Sequence, residues 1–327
     1  MMFVRISGRM RINVHSLNAQ GGGGTNYVEM TKAKVVVKND GEWSLLEVPA
    51  ITGNMLKHWH FVSFVDYFRE TDFKNNLTER AVRYNAVRFA AKEKKAKKVG
   101  GEEVELNDEA NIIKNFADAD IHGFLAPENG TRRVSLVKTS FLIPTEDFLV
   151  DVMGEKLISA VKHNRVDLNE RGAIGRSEEE TAQMLFTREY ASALYGFSMV
   201  LDLGFVGVPQ CNTSECVIGE EERKARMECA LKALIPMLSG YIGANLARSF
   251  PAIKIEELVA IKSEKPSPAL VHGFYKDYVE LSKNIVNNAK NLGFKMDCYS
   301  MGVDFKDFKD FHSVSSVEDL VKAILGK

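Results

Sequence analysis

Hydrophobic and polar positions alternate near the start of the chain. The apolar positions are Val4, Ile6, Met10, Ile12 and Val14, and the positions between them hold Arg5, Ser7, Arg9, Arg11, Asn13 and His15. A period of two residues predicts a β-strand with one apolar and one basic face. A second long strand is predicted over residues 191–206, where the apolar face holds Tyr195, Phe197, Met199, Leu201, Leu203 and Phe205.

Turn and capping residues predict further elements. An Asp-Gly turn at residues 40–41 lies between two β-rich runs and predicts a hairpin. Thr52 is the expected N-cap of an apolar helix that reaches about Phe68. Ser315 and Glu318 predict a capping box for a last short helix. A longer helix is expected over residues 220–238, with Pro236 bending or ending it.

The order of the main elements predicts the fold. It reads strand 4–14, helix 52–68, strand 134–143, strand 191–206, helix 220–238 and strand 252–263. This βαββαβ order is that of the ferredoxin-like or RNA-recognition-motif fold, in the α+β class. We predict one domain over residues 1–327. Its additions are a partly helical insertion at 70–130, a protruding arm at 155–188 and a C-terminal helical extension at 264–327.

Composition excludes several classes of protein. The chain is 45% hydrophobic and 27% charged, which is enough to bury a core. Its formal net charge is −1, which argues mildly against a dedicated nucleic-acid domain. The four cysteines form no CxxC pair, so reduced thiols are expected. The sequence shows no signal peptide and no membrane-spanning run, and we predict a soluble, cytoplasmic protein.

Phosphate binding is the chemistry that the motifs favour. Residues 52–54 begin a helix whose free N–H groups and positive dipole end can hold an anion, with Lys57 and His58 one turn on. Plain capping by Thr52 is the simpler interpretation. The basic residues 162–165 lie at the tip of the predicted arm, where they cannot pack into a core, and this favours a functional contact over a structural role. The four glycines at 21–24 lack P-loop and Rossmann spacing and predict a flexible loop.

Histidines are the remaining candidates for catalysis. His58 and His60 lie two residues apart, on different faces of the predicted helix, so they do not form a shared metal site. The sequence has no HExxH, no GxSxG and no acidic cluster with metal spacing. We therefore predict structural or ligand-contacting histidines, with no catalytic residue, metal or cofactor.

Five segments resemble the archaeal DevR-type Cas-seven proteins, the backbone subunits of type I-A CRISPR interference (Cascade) complexes. They are I-S-G-R-M-R-I-N-V-H-S-L-N at 6–18, V-P-A-I-T-G-N-M-L-K-H at 48–58, D-A-D-I-H-G-F at 118–124, R-R-V-S-L-V-K at 132–138, and the segment around residues 239–241. The resemblance spans residue 3 to about residue 290. It implies an RNA-recognition-motif core with finger-like and thumb-like insertions, and a helical filament of copies along one CRISPR RNA.

The resemblance also implies where RNA binds. With the basic residues of the first strand included, the predicted RNA contacts are Arg9, Arg11, Asn18, Thr52, Gly53, Asn54, Lys57, His58, Arg132, Arg133, Lys138, His163, Asn164 and Arg165. Three apolar residues of the thumb-like arm are candidates for a wedge between bases, namely Met184, Leu185 and Phe186.

The function implied is non-catalytic antiviral defence. The subunit would hold the guide RNA and present it for pairing with invader DNA. Implied partners are CRISPR RNA, target DNA through the guide, further copies of the chain, and other subunits of the type I-A complex: a Cas-five family protein, a small subunit, and helicase and nuclease components. No membrane partner is expected. One alternative is a metal-independent endoribonuclease that matures CRISPR RNA with His15 or His163. A second is a small-molecule or regulatory role.

Overall fold

The fold is known from a computed structural model that describes residues 2–18, 27–164, 185–211, 215–244, 246–247, 249–303 and 311–327. The strands are β1 (Phe3–His15), β2 (Tyr27–Val28), β3 (Lys32–Asn39), β4 (Glu42–Pro49), β5 (Lys95–Lys97), β6 (Glu103–Glu105), β7 (Phe124–Ala126), β8 (Thr131–Arg133), β9 (Val137–Thr139), β10 (Ile143–Pro144), β11 (Ile158–Asn164), β12 (Leu185–Leu201), β13 (Ala252–Ser263), β14 (Met296–Met301) and β15 (Phe311–Ser313).

The α-helices are α1 (Gly53–Arg69), α2 (Glu109–Asn115), α3 (Ala117–His122), α4 (Glu146–Asp151), α5 (Glu220–Lys232), α6 (Leu234–Leu238), α7 (Tyr278–Asn291) and α8 (Val317–Leu325). Short 3-10 turns lie at Ala81–Arg83, Pro127–Asn129 and Leu203–Phe205. Within the described ranges, no helix is both long and apolar enough to cross a bilayer.

A large mixed sheet forms the centre of the molecule. Its strand order is β10-β12-β1-β13-β14-β15, and β2, β9 and β11 also pair with the long strand β12. Most pairs are antiparallel; β2 runs parallel to β12, and β15 runs parallel to β14. The protein is therefore α+β, as the sequence predicted. The C-terminal region is not purely helical, because β14 and β15 extend the sheet.

One face of this sheet carries the main core. The apolar positions of β1 predicted from the alternation, from Val4 to Ile12, are buried there against α1, α5, α6 and α8. Helix α1 is capped by Thr52, as predicted. The Asp-Gly hairpin is also confirmed, since β3 and β4 flank Asp40 and Gly41, both with positive φ.

The other face of β1 carries the predicted basic residues, but most of it is covered as well. Residues 265–277, which we call the crossing segment, run over it. Arg5 pairs with Asp202 at 2.9 Å and donates to the Ser267 carbonyl. Arg9 donates to the carbonyls of Gly273 and Tyr275, both at 2.9 Å. Both arginines are buried.

Two glycines, Gly273 and Gly196, allow the crossing segment to lie directly on the sheet. A Cβ atom on Gly273 would lie 2.1 Å from the Gly8 carbonyl oxygen. A Cβ atom on Gly196 would lie 2.3 Å from the backbone nitrogen of Phe274. Backbone therefore packs on backbone at this point, which no residue with a side chain permits.

The alternation of β1 breaks at its end. The register with β12 shifts between Ile12 and His15, and Val14 has a φ of 52°. This bulge turns Val14 outward, where it is 60% exposed, and turns His15 into the core. The predicted apolar and polar roles of these two residues are therefore reversed.

Several element boundaries also differ from the predictions. The strand expected at 134–143 is split into β9 and β10, and the strand expected to reach residue 206 ends at Leu201. The helix expected at 220–238 is two helices, with Pro236 in the first turn of α6. The last helix is capped one residue later than predicted, because Ser316 accepts from the Asp319 backbone N–H at 3.2 Å.

The insertion at 70–130 has a small apolar core of its own. It holds Phe89, Ala96, Val104, Leu106, Ile112, Ile113, Phe116, Ala119, Phe124 and Ala126. A buried ion network joins this insertion to α5. Arg226 pairs with Asp120 at 2.8 Å and with Glu222, and Arg133 pairs with Asp120 at 2.7 Å and with Glu109 at 2.8 Å.

Candidate nucleic-acid interface

The start of α1 is held by one asparagine. Asn18 donates through Nδ2 to Thr31 and to the carbonyl of Ala50, the latter at 3.2 Å. Its Oδ1 accepts from the backbone N–H of Thr52 at 3.3 Å and from the Thr52 hydroxyl at 3.4 Å. Thr52 in turn caps the helix by accepting from the Met55 N–H. Asn18 therefore fixes the helix start relative to β1.

Gly53 has a packing role at the same place. A Cβ atom there would lie 2.5 Å from the Thr139 carbonyl oxygen, and the Thr139 hydroxyl donates to the Gly53 carbonyl at 2.7 Å. Helix α1 consequently begins in close contact with β9. Gly53 is buried, so its contribution to a ligand site is to let the helix end approach the sheet.

A cavity of about 470 Å³ opens beside this helix start. It is lined by Leu17, Asn18, Thr31, Thr52, Asn54, Met55, His58, Trp59 and Ala244. Four predicted RNA contacts, Asn18, Thr52, Asn54 and His58, thus meet at one concave surface although they are up to 40 residues apart in the sequence. Asn54 is exposed and His58 is half-buried at this surface.

Two aromatic residues at this surface were missing from the sequence prediction. Trp59 lines the cavity, and its ring meets the ring of Tyr241 edge to face with centroids 5.8 Å apart. Tyr241 is 58% exposed. The segment around residue 241 belonged to the family resemblance, but nothing in its spacing indicated that it reaches α1.

Positive charge concentrates on the neighbouring turn of α1. Burial, and then the nearby Arg88 guanidinium, lowers the pKa of both Lys57 and His58. The Arg88 guanidinium lies over the Phe61 ring, 5.2 Å from its centroid. Burial lowers the pKa of Arg88, and the charge of the buried Asp118 opposes that shift. The lowered pKa keeps His58 neutral at neutral pH, and in the described part of the chain the two cations, Lys57 and Arg88, form no ion pair. An anion placed here would relieve their mutual repulsion.

The remaining predicted basic contacts are placed differently. Arg9 and Arg133 are buried in ion pairs and carbonyl contacts, so they are withdrawn from the proposed contact surface. Arg11 is exposed but pairs with Glu256 at 2.8 Å, and Lys138 pairs with Asp202. Arg132 is exposed on β8. The structure thus separates Arg132 from Arg133, which were predicted together.

The arm is described only in part. Strands β11 and β12 pair at its base, and the His163 ring stacks on Phe186 with centroids 4.9 Å apart. His163 also hydrogen-bonds the Tyr190 hydroxyl at 3.1 Å. Outside the described residues lie Arg165, Met184, the side chains of Asn164 and Leu185, and the four glycines at 21–24.

The buried histidines have no access to a substrate. His15 hydrogen-bonds the Tyr195 hydroxyl at 2.6 Å, and burial lowers the pKa of His15 to about 3. His60 and His122 contact each other at 2.9 Å, and burial lowers the pKa of His60 to about 4. Across the described ranges, no group of three or more His, Cys, Asp or Glu residues is arranged to hold a metal ion.

Comparisons with known proteins agree on one family. The family model described as "CRISPR-associated negative auto-regulator DevR/Csa2" matches residues 6–283. A protein of Methanocaldococcus jannaschii, "CRISPR-associated protein Cas7/Cst2/DevR", is 69% identical over 326 residues, with 100% of both chains covered. A Thermoproteus tenax protein of the same description is 36% identical, covering 92% of this chain and 87% of its own.

A more distant relative and a solved structure extend the likeness. The "CRISPR-associated aCascade subunit Cas7/Csa2 2" of Saccharolobus solfataricus is 29% identical, covering 97% of this chain and 98% of its own. One chain of a "CRISPR RNA-guided surveillance complex, pre-nicking" has a similar fold, with a TM-score of 0.52 and 10% identity over 99% of both chains. On the strength of the matching family model and the full-length relatives, the chain belongs to the DevR/Csa2 family of CRISPR-associated proteins.

Proposed function

We propose that this chain is a non-catalytic RNA-binding subunit that forms the backbone of a type I-A CRISPR surveillance complex in the cytoplasm. Copies of it would line up along one CRISPR RNA and present the guide for pairing with invader DNA. The observation that carries the proposal is the meeting of Asn18, Thr52, Asn54 and His58 at one cavity beside Lys57 of α1 and the nearby Arg88. A relative described as an aCascade subunit supports it.

We interpret the centre of the sheet as a ferredoxin-like core. Strands β10, β12, β1 and β13 are adjacent in that order, and α1 and α5 pack on the same apolar face. The chain visits them in the order β1, α1, β10, β12, α5, β13, which matches the βαββαβ pattern. This interpretation places the candidate RNA contacts at the junction of the first strand and the first helix.

The chemistry of the surface suits sequence-independent holding. Cations and helix N–H groups contact phosphates, which carry no sequence information. A protein that holds many different guides needs this kind of contact, because base pairing between guide and target supplies the specificity. The other subunits of the complex and the target DNA would then meet the guide on its open side.

Salt-dependent binding of single-stranded RNA tests the proposal. Lys57→Gln should weaken binding several-fold and reduce the slope of log K against log salt by about 0.7, the value for one phosphate of a single strand. The matched control is Lys276→Gln, because Lys276 is exposed on the crossing segment, on the opposite side of the sheet from α1. Fluorescence anisotropy at several salt concentrations measures both quantities. A flat salt response of the wild type would refute phosphate binding.

The endoribonuclease alternative is tested separately. The depressed pKa and complete burial of His15 oppose a role as acid or base toward RNA. His163 is half-buried and remains the residue to examine. We expect repeat RNA to stay intact when incubated with the protein without metal. Cleavage that disappears in His163→Ala would establish the nuclease in place of the proposed role.

A further inference from the structure

The cavity beside α1 combines an aromatic wall with apolar neighbours. Trp59 contributes its ring, and Leu17, Met55 and Ala244 contribute apolar surface. The Trp59 ring is held edge to face by Tyr241 on one side and by His58 at 6.1 Å on another. A rigidly held indole at the edge of a cationic surface is a typical surface for stacking a nucleobase.

The polar groups of the cavity are already occupied by one another. Asn18 uses both its amide nitrogen and its oxygen on Thr31, Ala50 and Thr52. The Thr52 hydroxyl accepts from the Met55 N–H. Discrimination between bases requires hydrogen-bonding groups aimed at the base edge. The inner polar groups therefore have little capacity left for reading a base edge, and Asn54 is an exposed polar residue of the lining.

We propose that this cavity takes one base of a bound single-stranded RNA, in contact with the Trp59 ring and without selecting its identity. The inference rests on the proposed function and adds a base-binding pocket to the phosphate contacts. Charge supports a nucleic-acid occupant, because Lys57 follows the cavity along α1 and Arg88 lies close to both Lys57 and His58. A phosphate on these cations would bring its base to the cavity mouth.

Intrinsic fluorescence isolates this pocket, because the chain has only two tryptophans. Trp43 is 68% exposed on the β3–β4 hairpin, away from the cavity lining. In a Trp43→Phe protein, all indole emission comes from Trp59. Titration with single-stranded oligoribonucleotides of different sequence should quench this emission to a similar extent. A ribose-phosphate strand of equal length without bases should bind about 10-fold more weakly and leave the emission unchanged.

Two variants of Trp59 complete the test. Trp59→Leu should bind RNA about 10-fold more weakly and should no longer distinguish RNA from the base-free strand. Trp59→Phe retains a ring and should recover much of that discrimination. Circular dichroism and thermal unfolding of each variant establish that it is folded. An unfolded Trp59→Leu leaves Trp59→Phe and the emission of the Trp43→Phe protein as the deciding measurements.

The outcomes separate the two proposals. Salt-dependent RNA binding with unchanged Trp59 emission and no preference over the base-free strand would overturn the base pocket and leave the phosphate contacts standing. Failure of the wild-type protein to bind any RNA would overturn both. A strong preference for one base would contradict the absence of sequence selection.

Discussion

Buried histidines are the residues most sensitive to solution conditions. His60 donates from Nε2 to the Ala230 carbonyl at 2.9 Å, so its Nδ1 must accept from Nε2 of His122. The lowered pKa of His60, about 4, agrees with this arrangement, because a ring that accepts through one nitrogen and donates through the other is neutral. Burial, together with the charge of His60, Arg88 and Lys57, lowers the pKa of His122 well below its usual value. His15 is equally buried and also favours its neutral form.

Stability should therefore fall as the solution becomes acidic. Between pH 6.5 and about 4 the unfolded chain binds protons at these histidines and the folded chain does not, so the free energy of unfolding decreases as pH falls. His15→Gln should reduce this slope by up to about 1.4 kcal/mol per pH unit, the contribution of one proton, which is approached below pH 6. Urea unfolding at pH 7, 6 and 5 measures it, with the exposed His312→Gln as control. An unchanged slope in His15→Gln would contradict the assignment.

Residue types alone predicted only part of the candidate site. The run from Thr52 to His58 was predicted correctly as a helix start, because capping is a local property. Arg9 and Arg133 have the same chemistry as Arg11 and Arg132, and burial distinguishes them. Their burial depends on segments far away in the sequence, such as the Gly273 carbonyl over Arg9. The pattern of residues next to Arg9 or Arg133 in the sequence contains no information about a distant segment that covers them.

Among the elements, the crossing segment makes a particularly close contact with the sheet. Its backbone packs directly on the backbone of β1 and β12 at glycine residues. No side chain at this contact can therefore change its conformation to make room for an added atom. Overpacking in a well-packed interior typically costs 1–3 kcal/mol, with higher values where backbone must move. The contact also brings the carbonyl groups that satisfy the two buried arginines of β1.

A methyl group at the crossing should therefore be poorly tolerated. Gly196→Ala is expected to lower the free energy of unfolding by about 3 kcal/mol or more, because its Cβ would overlap the backbone of Gly273 and Phe274. Gly219→Ala is the matched control, since it lies before α5 with nothing within 4 Å of its Cβ position, and should change stability by about 1 kcal/mol at most. Chemical denaturation compares the two, and equal effects would argue against the close contact.

The predicted elements agree best where local rules are strict. The Asp-Gly turn, the Thr52 cap and the apolar alternation from Val4 to Ile12 are all confirmed. The bulge at Val14 was missed because an added residue in a strand has no signature in a period-2 pattern. The β14 and β15 additions were missed because short strands depend on the edge of the sheet they join.

At the scale of the whole molecule, buried charges connect the insertion to the main body. Asp120 of α3 uses both carboxylate oxygens. Its Oδ1 accepts from Arg133 of β8, and its Oδ2 accepts from Arg226 of α5 and from the Gly207 N–H, the latter at 2.9 Å. Removing one partner of such a network leaves a charge buried without compensation, which typically costs 3–5 kcal/mol.

The insertion should loosen when this network is cut. Arg226→Met is expected to lower stability by about 3–5 kcal/mol and to separate unfolding of the insertion from that of the sheet. The matched surface variant is Arg83→Met, whose pair with Glu79 is 75% exposed on the arginine side and should contribute under about 1 kcal/mol. Calorimetry and hydrogen exchange of residues 103–126 distinguish one transition from two. A single, barely shifted transition in Arg226→Met would contradict this role.

The late position of the crossing segment in the sequence determines when the two buried arginines can find their partners during synthesis. It is made only after residue 264 has been added, whereas Arg5 and Arg9 belong to the first strand to leave the ribosome. Until the crossing segment arrives, nothing in the growing chain provides the carbonyl groups of Ser267, Gly273 and Tyr275 that later satisfy these arginines. Folding of the first strand to its final, fully paired state therefore has to wait for residues that lie more than 250 positions later in the chain.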